Sequence, residues 1–481
     1  MYFFIMTSES VLSFFKEITR IPRESGHEGP MGDYLMQFAA DRGLEARRDK
    51  AGNVVIVKNA TPGREDVPTL VLQAHQDMVC EKNSGCDFNF LTDPIRYEIE
   101  DGWMIAKETT LGADDGIGVA SCLALLDSDQ PMGRLECLFT ISEETSMEGA
   151  EALEEGFFSG KTLINLDSED EGQFFIGCAG GMDTIALFDY ENEPLRKGYK
   201  TLRLSVCGGL GGHSGDEINK ERANAIQQLA RFLFTELQYD YQLLSFEGGN
   251  RPNAIAREAT AVIAVPEDEA GDMRSDVAAF AAILKAEFLH SDPDIAIRCE
   301  DEKSALAPFS EEFTVRFITA LTACPHGVAA MSMDIPGLVE TSTNLACVRM
   351  EKDNRIRVIT SQRSSVGSAL HAIAQKVEAA LLLGGADVSH ETEYPGWKPN
   401  LDSHLLQVSV ASYKKLFGTE PQVLAIHAGL ECGLFLEKFP GLDMISIGPT
   451  LRGVHAPGEK LEIASLDKYV ALLNDIVLNF K

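Results

Sequence analysis

Four short apolar runs in the segment from Thr69 to Asp167 each lead directly into acidic or imidazole side chains. A run of four to six apolar, partly β-branched residues predicts a buried strand, so each polar group falls where a strand ends and a loop begins. In open α/β sheets, ligands bind at that edge. One imidazole and several carboxylates there suit a divalent metal, with zinc as the first guess. The polar groups that follow the four runs are His75 and Asp77, Asp114 and Asp115, Glu143 and Glu144, and Asp167.

The segment from Ser8 to about Tyr190 alternates between the strand and helix periodicities. Apolar positions at helical spacing predict helices over Ser8–Thr19 and Gly116–Leu126. This alternation predicts an α/β domain with a mostly parallel sheet flanked by helices. The predicted strands are Asn53–Val57, Thr69–Ala74, Leu135–Ile141 and Thr162–Leu166.

Two polar, turn-rich stretches, Tyr190–Tyr199 and Glu391–Asn400, separate a middle segment with its own elements. We expect it to be an inserted α+β domain of two similar halves, although its internal repeat is weak. The predicted boundaries are 1–190 for the first part of the catalytic domain, 191–398 for the insertion and 399–481 for the second part. The predicted elements are Thr201–Cys207, Asn224–Leu237, Ala259–Val265, Asp276–Phe288, Val339–Arg349, Arg355–Thr360 and Ser368–Leu382 in the insertion, and Asp443–Ile447 after it.

Composition narrows the class of protein. A chain of 481 residues is longer than a single hydrophobic core supports, so we expect two domains. No apolar run approaches the length of a membrane span. A formal net charge of -32 repels nucleic acid and anionic lipid, so we expect neither as a partner. The apolar start Met1–Met6 lacks the basic flank and cleavage site of a signal peptide. Ten cysteines without a C-x-x-C pair indicate reduced thiols, and we expect a cytoplasmic location.

The motifs around His75 and Asp114 each allow two interpretations. The sequence His75-Gln-Asp77 fits a hydrogen-bonded loop pair, or a metal-binding imidazole whose second nitrogen is held by Asp77. The glycine-flanked pair Asp114-Asp115 fits an acidic turn or helix cap, or a carboxylate that bridges two cations.

The pair Glu143-Glu144 is costly at the end of an apolar strand unless something neutralises it. A solvated helix start would explain the pair, but next to a metal one Glu can be a ligand while the other takes a proton from bound water. The acidic run that begins at Asp167 fits a surface segment, yet its place after a strand favours Asp167 as an inward-facing group.

Later motifs are still more ambiguous taken alone. A glycine-rich turn around His213 lacks the ending of a phosphate loop, and can hold the imidazole near a substrate carbonyl or serve only as a turn. Asn253 and Arg363 are isolated polar residues after strand-like runs, and the simplest interpretation is that both are ordinary surface residues. His427 and His455 lie in glycine-rich loops, and spacing does not choose which of them completes a site.

In combination, these motifs resemble the aminoacyl-histidine dipeptidases, also called cytosolic nonspecific dipeptidases. That family is a branch of the co-catalytic zinc aminoacylase and carboxypeptidase superfamily. The similarity runs in unbroken motif order from about Ser8 to the end. A departure is Asp216, where family members often carry a second glycine. The matching segments are His75–Val79, Thr110–Gly118, Glu143-Glu144, Asp167–Gly172, Cys178–Gly181, Gly211–Gly215, Tyr394–Trp397, Ile426–Phe435 and Ser446–Thr450.

The resemblance implies a role for each candidate residue. It implies two Zn²⁺ per chain, with Mn²⁺ or Co²⁺ as substitutes, and a lid formed by the inserted domain. Asp77 would orient His75, Glu143 would be the general base, and His213 would polarise the scissile carbonyl. Arg363 would take the substrate carboxylate, with Asn253 and the Gly429 loop as further substrate contacts. The implied ligands are His75, Asp114, Glu144, Asp167 and His455, with Asp114 bridging the ions.

The implied function is a metallodipeptidase that cleaves unblocked dipeptides, including Xaa-His types. The nucleophile would be a metal-bridging water activated by Glu143, and lid closure would complete the site. An amidohydrolase of N-acyl amino acids in the same superfamily is the alternative. A catalytically silent peptide-binding protein is a third hypothesis, although the sequence keeps the base and the ligands. A homodimer through the lid domain is a further expectation.

Overall fold

The computed structural model describes residues 5–481. The expectation about the start of the chain falls mainly on residues 1–4, which lie outside the described residues. The chain divides into two units, called here the first unit and the second unit. The first unit comprises residues up to Gly177, Trp397–Ala425 and Leu430–Lys481, and the second comprises Cys178–Gly396 and Ile426–Gly429.

The first stretch of the chain forms strands and helices in the predicted alternation. Helix α1 begins at a capping box in which the Thr7 side chain accepts from the Ser10 amide, and its apolar face is buried. The elements are α1 (Ser8–Ile18), α2 (Gly29–Asp41), β1 (Glu45–Arg48), β2 (Val54–Lys58), β3 (Leu70–His75), β4 (Tyr97–Glu100), β5 (Trp103–Ala106), α3 (Ala113–Asp127), β6 (Leu135–Thr140), α4 (Glu148–Ala152), β7 (Thr162–Asn165) and β8 (Gln173–Cys178).

The middle of the chain, with two short 3-10 helices at Ile218–Lys220 and Glu236–Gln238, forms the second unit. Its elements are β9 (Gly180–Asp189), β10 (Tyr199–Cys207), α5 (Ala225–Thr235), β11 (Gln242–Gly248), β12 (Ala259–Pro266), α6 (Ala270–Glu287), β13 (Ala296–Asp301), α7 (Glu311–Ala323), β14 (Gly327–Met331), β15 (Val339–Glu351), β16 (Arg355–Ser364), α8 (Gly367–Leu383) and β17 (Asp387–Tyr394).

The last stretch returns to the first unit. Its elements are α9 (His404–Phe417), β18 (Gln422–Ile426), α10 (Glu431–Lys438), β19 (Asp443–Ser446), β20 (Leu451–Arg452), β21 (Lys460–Glu462) and α11 (Ile463–Asn479). Within residues 5–481, no helix combines the length and the apolar character that a bilayer span requires.

The main sheet of the first unit has the order β1-β2-β6-β3-β7-β19-β8-β18. Its four central strands, β6, β3, β7 and β19, are parallel, and β3 and β6 are buried along their whole length. Strands covered on both faces carry continuous apolar runs, which is why the sequence signal is clear here. The structure confirms the α/β class and the mostly parallel sheet. The parallel strands end at one edge, so the loops after β3, β6 and β7 are neighbours.

A small sheet, β20-β21-β5-β4, lies near that edge of the first unit. Backbone hydrogen bonds join its segment to the loop before α3: the Gly458 amide donates to Thr109 and the Ala106 amide donates to Glu459, both at 3.0 Å. The C-terminal segment that carries His455 is thereby fastened to the loop that leads into α3, of which Asp114 is the second residue.

The second unit contains a nine-stranded antiparallel sheet with helices α5 to α8. The β10–β13 half and the β14–β17 half meet where β11 and β15 pair only through Gly248 and Val348. Strand β9 pairs with β16 and β17 along its length, so this unit begins at Cys178, before the polar stretch at Tyr190. The segment Ile426–Gly429 also belongs to this unit, although it lies far along the chain.

Candidate active site

The ends of β3, β6 and β7 carry sequence-predicted side chains close to one another. His75 is the last residue of β3, and Asp167 follows β7 after one residue. Glu143 and Glu144 follow β6, where Ser142 adopts a left-handed backbone with φ of 54° and turns the chain sharply. Because β3 lies between β6 and β7, these loops converge on His75.

Asp114 lies between two imidazoles. Its Oδ1 is 3.0 Å from Nε2 of His75, and its Oδ2 is 3.2 Å from Nε2 of His455. Asp167 Oδ1 is 3.5 Å from the same nitrogen of His75. Glu144 Oε2 is 2.9 Å from Nε2 of His455. The five side chains therefore form two groups that share one carboxylate.

This arrangement suits divalent cations. One ligand atom each of His75, Asp114 and Glu144 lies within 4.8 Å of the others. Glu144 Oε1 is buried and has no hydrogen-bond partner among the described residues, so it has a lone pair to offer. Imidazole nitrogens with carboxylate oxygens are the ligands that zinc takes in catalytic sites. The residues therefore fit a metal centre, and a carboxylate shared by two groups fits a pair of ions.

When no metal is bound, the buried carboxylates of the cluster repel one another. Burial raises the pKa of Asp167 well above its usual range, and the Asp114 charge adds to the effect. Burial likewise raises the pKa of Glu143, although the His75 charge lowers it, and the Glu431 and Glu144 charges raise it further. Hydrogen bonds to Asp114 and Glu144 raise the pKa of His455 to about 11. Cations would relieve this repulsion.

Asp77 connects the end of β3, which carries His75, with the loop after β6, which carries Glu143 and Glu144. Its Oδ1 is 3.4 Å from Nδ1 of His75. The same carboxylate accepts backbone hydrogen bonds from Glu143 at 3.1 Å and Glu144 at 3.2 Å, and one from the Ser25 hydroxyl at 2.8 Å. Despite complete burial, which opposes ionisation, these contacts lower the pKa of Asp77 to about 2. One carboxylate thus lies against an imidazole and holds the backbone of the Glu pair.

Sequence reasoning missed two buried charges that hold the Asp114 loop. The Glu459 carboxylate accepts from the amides of Leu111 and Ala113 at 2.8 Å and of Gly112 at 3.0 Å. The Arg23 guanidinium donates to the carbonyls of Gln76, Asp77 and Gly112. For Glu459, the available sequence signal was its place shortly after His455 in the same segment. Arg23 gave none, because its partners are backbone groups of loops that lie far from it in the sequence.

A row of buried polar side chains lies one layer below the cluster. Gln73 donates to Glu431 at 2.7 Å, Thr140 donates to the same carboxylate at 2.9 Å, and Asn165 donates to Gln73 at 2.7 Å. Ser446 donates to Asn165. Burial raises the pKa of Glu431 to about 7. Gln73, Thr140 and Asn165 lie on β3, β6 and β7, so these hydrogen bonds fix the strands whose ends carry the cluster.

The predicted substrate residues lie in the second unit. His213 and Asn253 line one cavity of about 990 Å³, and the Ser214 amide donates to the Asn253 carbonyl at 2.9 Å. Arg363 is on β16 and is 9% exposed; its Nη1 donates to the Tyr394 hydroxyl at 3.1 Å, and its Nε has no partner among the described residues.

Gly429 ends the segment that joins the second unit from far along the chain. In the same segment His427 is 5% exposed, with Nε2 2.8 Å from the Ser342 hydroxyl. Burial, aided by the Arg363 charge, lowers the pKa of His427 to about 4. Of the two C-terminal histidines, His455 therefore lies at the carboxylate cluster of the first unit, and His427 is a buried residue of the second.

Carboxylates and imidazoles in two groups that share one carboxylate, at the edge of a parallel sheet, suit a metal-dependent hydrolase. The model of peptidase family M20/M25/M40 matches residues 71–479. The chain belongs to this family, and it is a metallopeptidase that hydrolyses peptide bonds.

Individual relatives are similar to this chain along nearly its whole length. The chain is 38% identical over 477 residues to the cytosol non-specific dipeptidase of Escherichia coli K12, covering 98% of both. It is similar to the crystal structure of aminoacylhistidine dipeptidase from Vibrio alginolyticus, with 39% identity, 98% and 96% coverage and a TM-score of 0.92. Aminopeptidase PepT from Bacillus cereus shares the fold at 17% identity, 98% coverage of both chains and a TM-score of 0.58.

Proposed function

We propose that the protein is a two-metal dipeptidase that cleaves unblocked dipeptides, including those with a C-terminal histidine. The observation that carries the proposal is the position of Asp114, whose two oxygens face the different imidazoles of His75 and His455. The substrate class is supported by two relatives at 38% and 39% identity, which are named as a non-specific dipeptidase and an aminoacylhistidine dipeptidase. The name of the first relative also supports a cytoplasmic location.

The ligand roles follow from the two groups at Asp114. His75 and Asp167 would hold one ion, Glu144 and His455 would hold the other, and Asp114 would bridge them. The nitrogen and oxygen donors suit Zn²⁺, with Mn²⁺ or Co²⁺ as substitutes. When bound, such ions supply Lewis acidity and a nucleophilic water at neutral pH.

Glu143 is the proposed general base. Its neighbour Glu144 contacts His455, whereas Glu143 makes no described hydrogen bond or ion pair with either ligand histidine. Burial beside other carboxylates raises the pKa of Glu143, which increases its affinity for a proton. It would take a proton from the attacking water and return it to the amine that leaves. Asp77 fixes the Glu143 backbone amide, so the base is held where it is needed.

Residues of the second unit would bind the substrate. The buried Arg363 carries an Nε without a described partner, so its guanidinium can grip a free carboxylate in bidentate fashion. His213 would donate to the carbonyl oxygen as negative charge develops there, with Asn253 and the Gly429 backbone as further contacts. A single guanidinium for the terminal carboxylate would restrict the enzyme to short substrates.

One assay tests this proposal against its alternatives. A panel of dipeptides and N-acyl amino acids is offered to zinc-loaded wild type, to metal-stripped protein and to the Glu143→Ala variant. We expect hydrolysis of dipeptides by the zinc-loaded wild type alone. Hydrolysis restricted to acylated substrates would instead identify an amidohydrolase, and binding without hydrolysis in any sample would identify a peptide-binding protein. Full activity in Glu143→Ala would refute the assignment of the base.

A further inference from the structure

The loop that carries His213 is fastened at several points within the second unit. The Glu217 carboxylate accepts from the His213 amide at 3.0 Å and is itself paired with Lys220 and Arg222. The Ser214 amide donates to the Asn253 carbonyl. The backbone of the loop is therefore fixed, and the remaining freedom of His213 is the state of its ring.

Asp216 presents two different groups to the same ring nitrogen. Its backbone N–H donates to Nδ1 of His213 at 3.2 Å, and its side-chain Oδ2 lies 3.3 Å from that nitrogen. An N–H donor requires Nδ1 to be without hydrogen, whereas a carboxylate binds Nδ1 when it carries one. Nδ1 therefore has a partner in the neutral ring and in the protonated ring.

We propose that Asp216 is a positioning residue that keeps a hydrogen on Nε2 of His213 in both forms of the ring. In the neutral form the backbone N–H of Asp216 points at Nδ1 and would meet any hydrogen placed there, so the hydrogen resides on Nε2. In the protonated form both nitrogens carry hydrogen, and the Asp216 carboxylate holds the ring in place. No described residue hydrogen-bonds Nε2, and the His213 side chain is 35% exposed. The free nitrogen is thus always a donor.

The surroundings of Asp216 also allow a second role, repulsion of the substrate carboxylate, which the test must distinguish from orientation of His213. Its pKa is lowered first by the hydrogen bond with His213, and also by the charges of Arg363 and His427. A carboxylate near Arg363 could act simply by repelling the carboxylate of the substrate. Repulsion would affect substrate affinity, whereas orientation of His213 would affect the chemical step.

The inference rests on the proposed function, because a hydrogen on Nε2 aids catalysis only if His213 donates to the substrate carbonyl. The protonation state of the ring can nevertheless be measured without an activity assay. Nitrogen-15 NMR of metal-free protein labelled in histidine reports the tautomer, and His213→Ala assigns the signal. We expect the Nε2–H tautomer at a pH of about 8.5, where most histidines are neutral. A neutral ring with hydrogen on Nδ1 would overturn the inference.

A double-mutant cycle then tests the role of the carboxylate in zinc-loaded enzyme. We expect Asp216→Asn to lower kcat by about two- to fivefold with KM nearly unchanged, the range typical of a half-exposed ion pair. In the His213→Ala background the same substitution should have no further effect. Glu221→Gln is the matched control, because Glu221 is exposed, nearby in the chain and makes no described contact with His213. It should leave kcat unchanged.

The outcomes distinguish this inference from the proposed function. A lower KM with unchanged kcat in Asp216→Asn would show repulsion of substrate and overturn the inference. An equal loss with and without His213 would overturn it too, because Asp216 would then act elsewhere. Full activity in His213→Ala would instead refute the proposed role of His213, while the NMR result would still decide the ring state.

Discussion

At the scale of residues, two adjacent glutamates have different surroundings. Glu144 contacts His455 at 2.9 Å and keeps one buried oxygen without a described partner. Glu143 makes no such described contact, and burial beside like charges raises its pKa. Asp77 holds the backbone amides of both. Adjacent residues of the same type can therefore serve a ligand role and a base role, because each carboxylate meets different neighbours.

This difference predicts different losses from the same chemical change. Glu143→Gln should lower kcat by about 10²- to 10⁴-fold with metal content unchanged, since only proton transfer is removed. Glu144→Gln should lower bound metal as well as activity. Metal analysis after gel filtration, alongside kcat, measures both. Loss of metal in Glu143→Gln with retention in Glu144→Gln would reverse the two assignments.

At the scale of elements, the loop before α3 depends on a segment from near the C-terminal end of the sequence. The Glu459 carboxylate is 2% exposed and accepts hydrogen bonds from four consecutive backbone amides, Leu111 to Asp114. Strand β21 follows directly and pairs with β5. Asp114, the proposed bridging ligand, is therefore positioned by the same short segment that carries His455.

Glu459→Gln should consequently weaken metal binding without removing a ligand. A glutamine places an NH₂ donor against backbone donors, and an unsatisfied buried group costs about 1–3 kcal/mol. We expect a loss of roughly 10- to 100-fold in metal affinity, as for other residues that orient ligands. Competition with a chelator measures the affinity. Glu437→Gln, at a position away from the cluster, is the control, and equal affinities in the two variants would contradict this role.

The buried His427 predicts a pH dependence of stability in the second unit. Its folded pKa of about 4 lies below the ordinary 6.5, so the unfolded chain binds the proton more readily. Its contribution to stability is present above pH 6.5 and is lost as the pH falls toward 4. The loss amounts to about 3 kcal/mol.

Replacement of His427 should remove that dependence. The difference in free energy of unfolding between wild type and His427→Gln should shrink by about 3 kcal/mol as the pH falls through this window, in urea titrations of metal-free protein. His290→Gln is the control, because His290 is exposed. A difference that stays constant with pH would show that His427 is not buried in its neutral form.

The sequence could predict the parts of this structure that are local. His75, Asp167 and the Glu pair each follow their own apolar strand, so the strand pattern alone places them at one sheet edge. Strands β3 and β6 are easily found because burial on both faces produces continuous apolar runs. Local periodicity therefore carries both the fold class and the location of the candidate metal centre.

Long-range partners could not be predicted in this way. Strand β9 belongs to the second unit because it pairs with β16, which comes much later in the sequence. Arg23 and Glu459 bind backbone groups of distant loops, and a backbone partner leaves no mark in the sequence. The contact of Asp216 with His213 is local, but its two-sided geometry depends on the turn.

At the scale of the whole molecule, the charge and the division into units bear on metal binding. The formal net charge of -32 creates a field that attracts cations, and the acidic side chains of the cluster concentrate it at the candidate centre. That centre lies within the first unit alone. Metal should therefore stabilise the first unit selectively, because binding to the folded state adds to stability by mass action.

Metal removal should lower the thermal unfolding transition of the first unit more than that of the second unit. Metal at a thousandfold excess over its Kd adds about 4 kcal/mol. For a unit of this size, that corresponds to roughly 10 °C in Tm. Differential scanning calorimetry with and without a chelator measures the shift. An identical thermogram in both conditions would exclude a structural contribution from the metal.

The most direct test of the two-metal proposal is a titration of metal-free protein with Zn²⁺ while dipeptide hydrolysis is followed. If Asp114 bridges two ions, activity should rise to a plateau at about two equivalents per chain. The Asp114→Asn variant should reach no such plateau. Activity that is complete at one equivalent, or that is independent of added metal, would contradict the two-metal centre.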